Sequence, residues 1–180
     1  MEQTKNEMPP YAKHFFKKLS HYLNTKMYFF GSIQRYDYIP NSSDIDVDIF
    51  TDNFNSTIIK LQSFLNLNRT DFKHFIYNLH KSKKIVYGYK VEYEDKINNF
   101  TTEISIYNEK NKEEVLKEHQ YKIFIPFYIS YLLYFVKFLY YKLHILPKKV
   151  FKKLKNLIIN YMVDGSGVEF VVTDFAKKII

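Results

Sequence analysis

Residues 44–50 read Asp-Ile-Asp-Val-Asp-Ile-Phe. Alternation of charged and aliphatic side chains has the period of a β-strand, whose successive side chains point to opposite faces. One face of this strand is apolar and the other carries acids, so the chain must fold with a core on one side and a place for carboxylates on the other. Asp44 and Asp46 project from the same face with Cα atoms about 6–7 Å apart. Two carboxylates at that separation can grip one or two Mg²⁺ ions. Asp48 shares the face, but its Cα lies roughly 13 Å from that of Asp44, too far to share one ion. Pairing Asp48 with Asp46 would carry the chemistry away from the glycine turn described next, so Asp48 reads as a structural partner for a lysine or a helix N-terminus. Taken alone, alternating Asp also fits an exposed strand edge blunted by charge.

The chain has only four glycines. Gly31 ends the short apolar run Met27–Phe30, a buried strand feeding a tight turn, where a missing Cβ lets the backbone approach a ligand. Ser32 adds a hydroxyl and an amide suited to phosphate oxygens. A polar turn that includes Pro40-Asn41-Ser42-Ser43 leads into the acidic strand. Glu103 lies in Thr-Glu-Ile-Ser-Ile, a predicted strand, where a half-buried carboxylate needs a partner such as a metal.

The remaining pattern places helices over 11–23, 54–67 and 71–80. Strands cover 85–93 and 100–107 as a hairpin. A long apolar helix runs from Pro126 to about Leu146 and is broken by Pro147. A basic amphipathic helix follows, with Val150, Leu154, Leu157, Ile158 and Tyr161 on one face. Asp164-Gly165-Ser166-Gly167 reads as a turn and Val168–Val172 as a last strand. The order implies an α+β fold, a mixed sheet covered by helices, with a mostly helical C-terminal region. The division falls into a core over residues 1–120 and a helical region over 121–180 packing on it.

Strand, Gly31-Ser32, Arg35, a turn and then Ser43-Asp44-Ile45-Asp46 resembles the polymerase-beta-like nucleotidyltransferase superfamily, over residues 27–107 and loosely through the C-terminal helices. The resemblance implies the central mixed sheet of the nucleotidyltransferase type. It implies transfer of a nucleoside monophosphate from an NTP such as ATP to an acceptor hydroxyl, with release of pyrophosphate. Asp44, Asp46 and Glu103 would be catalytic and would hold Mg²⁺ or Mn²⁺, two ions in the family's mechanism. Gly31 and Ser32 would contact the β and γ phosphates with help from Ser43. Lys137 would supply a lysine near the triphosphate, against the alternative of a snorkelling lysine at the core boundary. Two departures stand out: Tyr36 follows Arg35 where many members have Gly, and Glu103 stands where Asp is usual.

Composition bounds the rest. The 180 residues suit one compact domain with an appendage, and 46% hydrophobic with 26% charged residues is a globular balance. The absence of Cys excludes disulfides, thiolate zinc sites and a cysteine nucleophile, and fits a reducing, cytoplasmic setting. The six histidines form no i, i+4 metal pair and read as surface or boundary residues. The net charge of +8 is uneven. Residues 1–136 hold 18 basic and 16 acidic side chains, and residues 137–180 hold 9 and 3. That bias tilts the acceptor toward RNA or another nucleic-acid end, with a protein side chain or a small molecule as alternatives. A catalytically inactive relative that binds RNA or protein is the rival of another class. No signal peptide is visible, and the uncharged run Ile123–Val136 is shorter than a bilayer span. The Tyr-rich face of 128–141 reads as core packing rather than a base-stacking platform, and the Lys-flanked C-terminal helices leave peripheral membrane association as a further reading.

Overall fold

The structure is a computed structural model, and it describes residues 4–79, 81–159 and 170–173. Helix α1 (Pro10–Leu23) buries Phe16, Leu19 and Leu23 along one stripe and stops at Asn24, which adopts the left-handed conformation. The chain then enters β1 (Tyr28–Phe30), turns through a 3₁₀ segment (Gly31–Gln34) and returns as β2 (Ile45–Thr51). Helix α2 (Phe54–Leu65) is capped by the Asn53 side chain, which accepts a hydrogen bond from the Ser56 amide. Strands β3 (Lys73–Asn78), β4 (Ile85–Asp95) and β5 (Phe100–Asn108) follow. Helices α3 (Lys112–Ile123), α4 (Phe127–Tyr141) and α5 (Lys148–Leu157) precede a last strand, β6 (Phe170–Thr173).

The six strands form one sheet in the order β1-β2-β5-β4-β3-β6. Among the described residues only the central β2–β5 pair is parallel, and this makes the sheet mixed. The alternation in β2 sorts its two faces. Ile45, Val47 and Ile49 pack with Phe16, Leu19, Ile58, Leu61 and Ile104 beneath α1 and α2. On the opposite face Phe50 joins Phe75, Tyr77, Tyr107 and Val115, the last from α3. Asp46 and Asp48 therefore sit on the α3 side of the sheet. Gly88 in β4 is needed there, because a Cβ would overlap the Ile106 carbonyl and the Phe75 ring.

The α+β architecture agrees with the sequence, while three segments differ from it. Residues 73–78 are a strand rather than part of a helix. Phe72, Phe75, Ile76 and Leu79 have helical spacing, yet Phe75 and Tyr77 bury alternately and the backbone pairs with both β4 and β6. Helix α3 was not legible, because its buried stripe is partly polar: Val115, Glu118 and His119. Helix α4 ends at Tyr141, short of Leu146. Its Ile129, Leu133 and Val136 pack with Phe151 and Ile158, but most of its aromatic side chains are exposed rather than in the core. The Asp164–Gly167 turn, Tyr161 and the first residues of the Val168–Val172 strand lie outside the described residues, whereas Phe170–Thr173 is a strand paired with β3.

Candidate active site

Gly31 has φ +69°, and a Cβ there would collide with the Asp46 carboxyl group. The glycine thus lets the end of β1 lie directly against that carboxylate. The backbone register does the same work, since Phe30 pairs with Asp46. Ser32 is buried in the turn and lines the same cavity.

Asp44 lies immediately before β2 and is exposed, and Asp46 is half-buried. Glu103 is directly beside Asp46 on the parallel neighbour β5. The strand pairing therefore brings together all three acids chosen from the sequence. Burial pushes the Asp46 carboxyl up to about 7, with Glu103 and Asp44 adding to the rise and Lys155 and Arg35 opposing it. Asp44 keeps solvent contact, yet neighbouring atoms displace enough water from its carboxyl to raise it; Lys155 and Lys137 oppose the rise, and Glu92 and Glu103 reinforce it.

Glu103 has a partner of its own. Lys90 Nζ of β4 donates to Glu103 Oε2 at 2.9 Å. Among the described residues no three His, Cys, Asp or Glu side chains are gathered as a ready metal cage. Asp44 and Asp46 nevertheless fit a hard divalent cation. They offer oxygen donors only, and Asp46 is a carboxyl held against like charges that a cation would relieve. Glu103 stands beside them with one carboxylate oxygen, Oε2, engaged by Lys90.

A second cluster borders the first. Asp37 is fully buried and holds Arg35 through Nε–Oδ1 at 2.8 Å and Nη2–Oδ2 at 3.2 Å. It also holds Lys137, whose ammonium is 2.9 Å from Asp37 Oδ2 and donates to the Asp37 carbonyl at 2.9 Å. Burial works to raise the Asp37 carboxyl, but Arg35 and Lys137 outweigh it and leave the group below its ordinary range. Lys137 is lowered by its own burial, in part offset by Asp37. Lys137 is thus buried and paired rather than snorkelling, with Ser43 Oγ 3.4 Å from its ammonium. Ser43 Oγ in turn accepts the Ile39 amide at 3.1 Å.

Asp48 belongs to neither cluster. It is fully buried, and its Oδ2 is 2.8 Å from His119 Nε2 of α3, without the alignment of a good hydrogen bond. Its partner is a histidine and not a lysine or a helix N-terminus. His119 is correspondingly buried, not a surface residue, and its ring stacks on Phe30 with centroids 4.0 Å apart.

Gly31, Ser32, Arg35, Ser43, Asp44, Asp46, Glu103 and Lys137 line one cavity of about 390 Å³. Lys122, Tyr141 and Lys155 line it too, as does His119. A larger groove of about 930 Å³ shares Ser43, Asp44, Asp46, Glu103, Tyr141 and Lys155 with it and runs on past Lys148 and Lys152. The carboxylates stand where the two meet. Sequence reasoning missed Asp37 and Lys90, and read Lys155 only as part of the basic helix. Asp37 carries a local signal, an acid two residues from Arg35, but Lys90 and Lys155 reach the site only through strand pairing and helix packing.

A mixed sheet bearing paired acids on a central strand beside a Gly-Ser turn defines a protein of the polymerase-beta-like nucleotidyltransferase class. The model of the nucleotidyltransferase domain family matches residues 12–163. The chain belongs to that family. Among solved structures it is similar to a chain in the structure of the GLD-2/RNP-8 complex, with 16% identity and a TM-score of 0.34. That match covers 93% of this chain and 66% of the other, so the chain spans just under two thirds of its length. No curated protein shows significant sequence similarity to it.

Proposed function

We propose that the chain is an active, metal-dependent nucleotidyltransferase that moves a nucleoside monophosphate from an NTP to an acceptor hydroxyl and releases pyrophosphate. The observation that carries this reading is the juxtaposition of Asp44, Asp46 and Glu103 against the Gly31-Ser32 turn. The Gly31 and Ser32 amides and the Ser32 hydroxyl would bind the β and γ phosphates. Arg35 and Lys137, fixed by Asp37, would present positive charge along the same wall. Lys137 would act as a set charge rather than a mobile hand, because Asp37 and Ser43 already engage its ammonium. Asp44 and Asp46, joined by Glu103, would hold Mg²⁺ or Mn²⁺, which when bound neutralises the triphosphate and polarises the attacked phosphorus. Glu103 would also accept the proton of the acceptor hydroxyl as the new oxygen–phosphorus bond forms and the bond to pyrophosphate breaks.

The acceptor would enter along the larger groove, whose Lys148, Lys152 and Lys155 favour a nucleic-acid end, RNA in the first instance. Incubation with Mg²⁺ or Mn²⁺, each labelled NTP in turn and total RNA, DNA or protein should show label transferred by wild type. It should be absent from the Asp44→Ala/Asp46→Ala variant. Retention of transfer by that variant would sink the assignment. Absence of metal-dependent NTP binding by calorimetry would favour the inactive binding module instead.

A further inference from the structure

The turn that carries Gly31 and Ser32 is a 3₁₀ segment of four residues, Gly31–Gln34, a geometry whose own hydrogen bonds are poor. A strap of chain ahead of α1, residues 4–8, holds it. Asn6 donates twice to the Ile33 carbonyl, from its amide at 3.1 Å and from Nδ2 at 2.9 Å. Nδ2 also donates to the Arg35 carbonyl at 2.6 Å. The Lys5 amide donates to Gln34 Oε1 at 2.9 Å, and Gln34 Nε2 carries the tie on to the Phe29 carbonyl of β1 at 3.0 Å. Lys5 Nζ lies 3.6 Å from the centroid of the Tyr36 ring. Met8 anchors the other end of the strap in the core that holds Phe16 and Leu19.

Burial alone does not ask for this much. Ile33 is fully buried, so its carbonyl needs one donor, and it receives two. A trans peptide is planar, so a pinned carbonyl sets the plane of its whole peptide. Asn6 thus sets the Ile33–Gln34 and Arg35–Tyr36 peptides on either side of Arg35, whose side chain Asp37 holds in turn. Residues 4–8 line neither the cavity nor the groove, so the strap meets a ligand only through the turn. We propose that Asn6 is a positioning residue for triphosphate binding, presetting the Gly31–Arg35 turn so that its phosphate donors stand in place before a nucleotide arrives. The inference rests on the reading of Gly31, Ser32 and Arg35 as the triphosphate wall.

The coupling runs both ways. If the strap favours the binding form of the turn, a bound triphosphate must favour the seated strap by the same factor, although it never touches it.

Asn6→Leu keeps the size and neutrality of the side chain and removes both Nδ2 hydrogen bonds. Binding of inorganic tripolyphosphate and of each NTP, all with Mg²⁺, is measured by calorimetry on the full chain beside wild type. The variant should lose about tenfold in affinity for every one of them, whatever the base. Its melting temperature should stay close to that of wild type, since each hydrogen bond that Asn6 donates goes to the turn and none to the core. Should the variant not fold, hydrogen exchange in wild type decides. The Lys5 and Asn6 amides should exchange more slowly with Mg²⁺ and the best-bound NTP than without, in step with the Arg35 amide. A folded Asn6→Leu chain that binds all these ligands as wild type does, or strap amides that the nucleotide leaves unchanged, would overturn the proposal while the triphosphate reading stood. Wild type that binds neither tripolyphosphate nor any NTP would remove that reading, and this inference with it.

Discussion

Asp46 sits between two other acids with its carboxyl pushed up to about 7, mainly by burial. In the unfolded chain the same group ionises near 3.8. Between those values the folded state holds the proton that the unfolded state has released, so rising pH favours unfolding across this window. In the absence of metal, Asp46→Asn should therefore flatten the fall in melting temperature from about pH 4 to about pH 7 relative to wild type. An unchanged pH profile would show that Asp46 is already compensated. Lys90 supplies a second prediction at this scale. Its ammonium donates to Glu103 from 2.9 Å, and so should compete with a cation for that carboxylate. Lys90→Met should tighten Mn²⁺ binding, read by the loss of free-ion signal in electron paramagnetic resonance, on the order of tenfold. Equal or weaker binding would mean that Lys90 orients Glu103 for the metal and does not oppose it.

Single elements are tied to the site by contacts that no local pattern announces. Helix α3 presents His119 to the buried Asp48, so the third acid of β2 anchors a helix while its neighbours stay free for chemistry. His119→Ala would strand a buried carboxylate and should cost about 3 kcal/mol of stability, seen as a lowered midpoint in urea. His119→Ala/Asp48→Asn should recover part of that loss, because the uncompensated charge is gone. This pair also marks the limit of what could be read in advance. The acid strand, Gly31-Ser32 and Glu103 were legible because they rest on strand period, a rare glycine and an acid among apolar neighbours. The apolar positions of strand β3 satisfy both periods, and only pairing with β4 and β6 decides between helix and strand. Lys90 and Lys155 were illegible for a related reason. Lysines are ordinary on strands and amphipathic helices, and it is the sheet order and the packing of α5 that bring these two to the carboxylates.

Across the whole molecule, the cavity and the larger groove meet at the carboxylates. Asp44, Asp46 and Glu103 stand at that junction, and the arm that leads away carries Lys148 and Lys152 of α5 together with Glu92 and Glu94 of β4. A small uncharged acceptor would be indifferent to that arm, whereas a nucleic-acid strand would lay its phosphates along it. The salt dependence of binding distinguishes them. For a single strand, each phosphate neutralised contributes about 0.7 to the slope of log K against log salt. If Lys148 and Lys152 each meet one phosphate, Lys148→Gln/Lys152→Gln should reduce the slope for a short single-stranded RNA by about 1.4. Both lysines are exposed, so the fold should survive the change and NTP binding near Gly31-Ser32 should be nearly unaltered. Fluorescence anisotropy over a salt series gives the slope directly. An unchanged slope with intact transfer activity would move the acceptor off this arm and toward a protein side chain or a small molecule.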